Sequence, residues 1–302
     1  MSQKNTKGTI AFIGLGAMGL PMALNLAKSG YTVQGFDLNP TALTTLERQG
    51  GIPAQSAAEA AQNADTLILM VVNATQAEAV LFEAGTAAAL NPGAHIIVMA
   101  TCPPAAVKSL AARIEATGRH YIDAPVSGGV VGATAGTLTI MASAPTLAPV
   151  QPILDILGGK VVHVGTTPGQ GAAVKAINQL LCGIHIAAAA EALALARKSG
   201  IDPAVMLDIV STSAAASWML NDRGPRMLET DPKVSSAVDI FVKDLGITLE
   251  AGRDAKAATP LAALAHQLFL AASAQGHGRA DDSQLIRTYD HLNGSPKPPT
   301  QR

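Results

Sequence analysis

Gly14, Gly16 and Gly19 fall in the run IAFIGLGAMGL at Ile10–Leu20, spaced Gly-x-Gly-x-x-Gly between an apolar strand-like stretch and a helix opening at Pro21-Met22-Ala23-Leu24. That setting suits the binding of a dinucleotide. Gly14 permits a tight turn, Gly16 lets backbone approach a pyrophosphate, and Gly19 lets helix pack on strand, while unpaired N–H groups at the helix start face the phosphates. Leu15, Ala17 and Met18 complete the cofactor loop. A strand at Tyr31–Phe36 then leads to Asp37, within about 20 residues of the last glycine, where an acid would take the ribose hydroxyls. A carboxylate there repels a 2′-phosphate, and no Arg stands at Leu38, Asn39 or Pro40, so NAD is expected over NADP. The competing role for Asp37 is a helix N-cap, which Asn39 followed by Pro40 fills better.

Three more segments carry polar groups suited to chemistry. In Asp123-Ala124-Pro125-Val126-Ser127-Gly128-Gly129, two glycines free backbone N–H groups to converge on an anion, and the Ser127 hydroxyl adds a donor. A plain turn is the other reading of this composition. In Gly169-Gln170-Gly171-Ala172-Ala173-Val174-Lys175-Ala176-Ile177-Asn178, Lys175 and Asn178 share one helix face among small apolar residues. A desolvated lysine is suited to proton transfer; a solvated surface lysine is the plainer alternative. Phe241-Val242-Lys243-Asp244-Leu245-Gly246 sets a second Lys-Asp pair among apolar neighbours, against the alternative of a surface ion pair.

Elements must hold these residues. Apolar runs at Ile10–Ile13, Thr66–Val72, His95–Met99, Tyr121–Ala124, Leu138–Met141 and Val161–Val164 alternate with helical stretches such as Thr41–Gln49 and Pro104–Thr117. That alternation predicts an α/β fold, a Rossmann-like doubly wound parallel sheet over residues 1–165 with ligands beyond the strands' carboxyl ends. Strands then give way to helix formers, so an all-helical domain is expected over 166–295, joined by a long helix near 168–199. Further helices are expected at Pro203–Thr212, Ala237–Asp254 and Leu261–Ala274, with a flexible tail at 296–302.

With 302 residues, two domains are the prior; 48% hydrophobic and 3% aromatic residues imply a core of Ala, Val, Ile and Leu. A net charge of -1 gives no reason to expect nucleic acid or an anionic membrane as partner. Cys102 and Cys182 lie in no ligand pattern, so no metal is expected. The polar N-terminus is unlike a signal peptide, and the Ala-rich stretch after Leu180 contains His185, Glu191, Arg197 and Lys198. A cytoplasmic protein with a buried helix is therefore expected rather than a membrane span. The Ala/Leu-rich flank of that helix calls for a partner subunit, giving a homodimer or homotetramer.

Along nearly its whole length the chain resembles the β-hydroxyacid dehydrogenase family, the 3-hydroxyisobutyrate dehydrogenase-like group. The segments FIGLGAMGLPMALNLAKSGY, DAPVSGG at 123–129, GQGAAVKAIN at 169–178 and KDLG at 243–246 carry the likeness. The resemblance implies that Lys175 is the catalytic acid/base, that Asn178 orients the substrate, that Ser127, Gly128 and Gly129 hold its carboxylate, and that Lys243 closes on the cofactor. It also implies cofactor contacts at Val71 and Val72, where relatives carry Leu-Pro, at Gln76, and at Thr101 near the nicotinamide. HIAAAAEALALA, SWML and SAVDIFVKDLG look like the branch that oxidises L-threonate; at position 178, where that branch often carries His, this chain keeps the broader family's Asn. Competing expectations are reduction of tartronate semialdehyde or another 3-hydroxyacid reaction, and a non-catalytic NAD sensor.

Overall fold

The computed structural model describes residues 7–294. The chain divides between Lys175 and Ala176 into two compact units.

The first unit is built on a nine-stranded sheet: β1 (Thr9–Ile13), β2 (Thr32–Phe36), β3 (Ile52–Pro53), β4 (Thr66–Leu69), β5 (His95–Val98), β6 (His120–Asp123), β7 (Val126–Ser127), β8 (Leu138–Ser143) and β9 (Gly158–Gly165). Strands β3-β2-β1-β4-β5-β6 lie side by side in parallel. Beyond them β8 runs antiparallel to β6 and β7 and parallel to β9, so the far side of the sheet is mixed. Interspersed are α1 (Gly19–Lys28), α2 (Pro40–Arg48), α3 (Ala57–Ala61), α4 (Ala74–Glu78), α5 (Thr86–Ala89), α6 (Pro104–Glu115), α7 (Gly129–Ala135) and α8 (Gln151–Leu157). Alternate residues of the central strands feed two different cores. Ile10, Phe12, Ile68, Ile97 and Ile122 join one, and Ala11, Ile13, Leu67, Leu69, Ile96, Val98 and Tyr121 join the other. Near-continuous apolar runs are what a sheet buried on both faces requires.

Strand β4 ends at Leu69, short of the expected Val72, because the chain turns there into α4: the Gln76 side chain accepts from Val72 N at 2.9 Å and Asn73 Oδ1 accepts from Gln76 N at 2.9 Å. Asn39 caps α2 by accepting from Thr41 N, with Pro40 in the first turn, as its residue type demands.

One helix, α9 (Gln170–Lys198), carries the chain past the division; its 29 residues give a length of about 44 Å at 1.5 Å per residue. It is long and apolar enough to cross a membrane, yet half of its most apolar stretch is buried in protein. The second unit adds α10 (Pro203–Thr212), α11 (Trp218–Met227), α12 (Val238–Asp254), α13 (Pro260–Ala272) and α14 (Ile286–Leu292), with a 3₁₀ turn at Asp282–Leu285. Its core joins Ile186, Ala190 and Leu193 of α9 to Phe241, Leu245, Phe269 and Tyr289. Gly183 lets α9 approach α12, since a Cβ there would stand 2.8 Å from Leu245 Cδ2. The division after Lys175 falls ten residues past the end of β9. The start of α9 is hydrogen-bonded into the sheet of the first unit through Asp123 and Ser143. The tail expected at 296–302 lies outside the described residues.

Candidate active site

Register fixes where the ligand-facing loops leave the sheet. Ile13 pairs with Leu69, Leu69 with Val98 and Val98 with Asp123, so four parallel strands end level. The segments that follow them, Gly14–Met18, Met70–Val72, Met99–Thr101 and Ala124–Gly129, therefore emerge from one edge. That carboxyl edge is where open α/β sheets place ligands. Ser127, Gly128 and Gly129 sit where β7 passes into α7, with Gly128 at φ 130° and Gly129 at φ 61°, a left-handed backbone open to glycine.

The three fingerprint glycines have separable tasks. Gly14 has φ 95°, and a Cβ on it would lie 2.4 Å from Met70 O; a Cβ on Gly19 would lie 1.8 Å from Gly14 O. Both are needed by the fold itself. Gly16 is exposed, and a Cβ there would meet nothing within 4 Å. Nothing among the described residues requires glycine at that position, and the space beside it is open to an outside group. No side chain caps the N-terminus of α1 at Met18. A cradle open at Gly16, beside uncapped helix N–H groups, fits a pyrophosphate.

Asp37 closes the other side of that cradle. Its Oδ2 accepts from Leu15 N at 2.6 Å and its Oδ1 from Asn39 N at 2.8 Å. Each carboxylate oxygen keeps a further lone pair for a ribose hydroxyl.

Asp123, the first residue of the motif that ends at Gly129, organises the start of α9. It is 1% exposed, and its Oδ2 accepts from Gly169 N (3.0 Å), Ala172 N (2.9 Å) and Ser143 Oγ (3.1 Å). Ser143 Oγ in turn accepts from Gly171 N at 3.0 Å. Gly171 is required here, because a Cβ would fall 2.5 Å from Met141 O. Burial pushes the Asp123 carboxyl up to about 6, against the downward pull of the Ala172, Gly169 and Ser143 hydrogen bonds. Lys175 follows Ala172 by three residues on the same helix and is 6% exposed, so the solvated-lysine alternative does not hold. An acid at the end of the apolar run Tyr121-Ile122 was the one signal in the sequence for Asp123.

In the second unit Asn178 and Lys243 belong to one polar chain. Lys243 Nζ lies 2.6 Å from Asp244 Oδ1, Gln179 Nε2 donates to Asp244 Oδ2 at 2.6 Å, and Asn178 Nδ2 donates to Gln179 Oε1 at 2.9 Å. Asp244 is 3% exposed, so this is no surface ion pair. The spacing of Gln179 and Asp244 gave no hint that they meet.

Known proteins bear on these groups. Residues 9–165 match the family of NAD binding domains of 6-phosphogluconate dehydrogenase, and residues 169–289 match the NAD-binding domain of NADP-dependent 3-hydroxyisobutyrate dehydrogenase. An L-threonate dehydrogenase of Cupriavidus necator is 46% identical over 93% of this chain and 95% of its own. The chain belongs to the β-hydroxyacid dehydrogenase family. An L-threonate dehydrogenase of Escherichia coli is 42% identical over 94% of this chain and 95% of its own. A crystal structure described as 3-hydroxyisobutyrate dehydrogenase from Salmonella typhimurium superposes with a TM-score of 0.89 at 41% identity, covering 93% of this chain and 99% of that one. As a β-hydroxyacid dehydrogenase, the chain is an NAD-dependent oxidoreductase acting on the CH–OH group of a small hydroxyacid.

Proposed function

We propose that this dehydrogenase oxidises L-threonate to the 2-oxo acid, with NAD as the preferred cofactor. The observation that carries the reading is the placement of buried Lys175 one turn past Ala172, on a helix whose first turn is bonded to Asp123, with Asn178 three residues further along. The relatives named L-threonate dehydrogenase, at 46% and 42% identity, supply the substrate.

Bound NAD supplies the hydride acceptor. Gly14, Leu15, Gly16, Ala17, Met18 and Gly19 would receive its phosphates, Asp37 its ribose hydroxyls, Val71, Val72 and Gln76 would add further cofactor contacts, Thr101 would lie near the nicotinamide and Lys243 would close on the cofactor. Ser127 with the backbone of Gly128 and Gly129 holds the substrate carboxylate. Lys175 takes the hydroxyl proton as the carbinol carbon loses hydride, and returns it in the reverse direction. Asn178 orients the substrate along the same helix face. A second copy covers the exposed Val174, Ile177 and Leu181 of α9, giving a dimer or tetramer in the cytoplasm.

The description of the Salmonella structure favours 3-hydroxyisobutyrate as the second reading. NADH formation measured with L-threonate, 3-hydroxyisobutyrate and glycerate separates these readings, and covers tartronate semialdehyde reduction through its product. The highest kcat/KM is expected for L-threonate. A higher value for either other acid reassigns the substrate, and no NADH with any of them returns the chain to a sensor role.

A further inference from the structure

Asp244 governs more than the lysine beside it. A carboxylate ion-paired with Lys243 can only accept hydrogen bonds, so the Gln179 amide must present its nitrogen to it, as the 2.6 Å contact records. Gln179 is itself buried, and its carbonyl oxygen is thereby turned toward Asn178. That oxygen can only accept. Asn178 must answer with its Nδ2, at 2.9 Å, and the same nitrogen also donates to Cys182 Sγ at 3.4 Å. Both Nδ2 protons are then directed into the protein. What Asn178 has left for anything outside the chain is its Oδ1, an acceptor.

An acceptor at this position selects its ligand. A carboxylate, an ether or a carbonyl offers it no proton, whereas a hydroxyl does. Lys175 and Asn178 are neighbours on one helix face, so groups on adjacent substrate carbons can meet them separately. We propose that Asp244 and Gln179 are positioning residues that lock Asn178 with its carbonyl outward, making the enzyme selective for acids that carry a second hydroxyl next to the one oxidised. The inference rests on the reading that Asn178 faces the substrate. It names the class as vicinal dihydroxy acids and excludes singly hydroxylated acids from efficient turnover.

The test compares L-threonate with 2,4-dihydroxybutanoate, which lacks the hydroxyl beside the reacting carbon, and with the 3-O-methyl ether of L-threonate, which keeps that oxygen but loses its proton. Wild-type enzyme is expected to prefer L-threonate over both by roughly tenfold or more in kcat/KM, because the part-buried Asn178 acceptor, covered by a substrate that offers it no proton, loses its hydrogen bond to water without replacement. Gln179→Met keeps the side-chain length and removes the lock. Its preference should shrink to within about threefold through loss on L-threonate alone, with NADH affinity by fluorescence titration unchanged. Equal turnover of L-threonate and 2,4-dihydroxybutanoate by the wild type overturns the inference while leaving the functional reading intact. So does a Gln179→Met enzyme that slows on all three acids by one factor, the mark of a merely structural residue. Should the wild type oxidise none of the three, the functional reading fails and this inference with it.

Discussion

Asp37 Oδ2 accepts a 2.6 Å hydrogen bond from Leu15 N, so the acid at the end of the second strand is held by the glycine loop itself. The carboxylate is fixed beside the phosphate cradle and cannot swing away from an added charge. Repulsion between unit charges at about 6 Å amounts to roughly 3 kcal/mol at an effective dielectric near 20, which is of order a hundredfold in affinity. NAD should therefore exceed NADP by about that factor in kcat/KM. Equal efficiency with the two cofactors would remove Asp37 from its assigned role.

Two glycine substitutions should separate fold from ligand. Gly16→Ala places its Cβ in open space and should leave the melting temperature nearly unchanged, while weakening NAD binding by an order of magnitude or more. Gly14→Ala forces a side chain into φ 95° and onto Met70 O, so it should destabilise the first unit whether or not cofactor is present. Calorimetry with and without NAD reads both effects. A Gly16→Ala enzyme with undiminished NAD affinity would contradict the cradle.

Much of this was legible in the chain. The fingerprint, Asp37, the strand alternation and the long helix depend on local pattern, and local pattern is what a sequence displays. The short β7 at Val126–Ser127 was not legible, because two residues have no periodicity and pair only through β8. Helix α11 was hidden by Gly224 and Pro225 within Trp218–Met227, residue types that argue against a helix. Asp123 with Ala172, and Gln179 with Asp244, are separated by 49 and 65 residues, so only the fold could bring them together.

The buried Asp123 carboxyl gives stability a definite pH dependence. Its folded value of about 6 lies above the ordinary 3.8, so the native state holds the proton more tightly than the unfolded chain. Between those values stability must fall as pH rises, by about 3 kcal/mol in all, and stay at the lower level above pH 6. Asp123→Asn cannot ionise. Urea unfolding of both proteins from pH 4.5 to 7.5 should show the wild type losing ground to the variant as pH increases. A wild type that gains ground over that range would reverse the assignment.

Arg223 grips the 3₁₀ turn of the second unit through Nε to Asp282 Oδ1 at 2.8 Å and Nη2 to Asp282 Oδ2 at 2.9 Å, and Asp282 is wholly buried. Arg223→Ala leaves that carboxylate without its fork of donors. A loss of about 3–5 kcal/mol is expected, since a buried charge stripped of its partner costs far more than an exposed one. Thermal unfolding measures it. A change below about 1 kcal/mol would mean the pair is hydrated in solution.

The central claim is that Lys175 moves the substrate proton, and the Lys175→Met enzyme tests it most directly. Its NAD affinity, read by fluorescence titration, should stay close to the wild type, because the glycine loop and Asp37 are untouched. Turnover of L-threonate at saturation should fall by ~10²–10⁴-fold, the range for loss of a general acid/base. A variant that keeps more than a tenth of wild-type turnover contradicts the claim, and a joint collapse of NAD affinity and turnover would make the lysine a structural residue of α9.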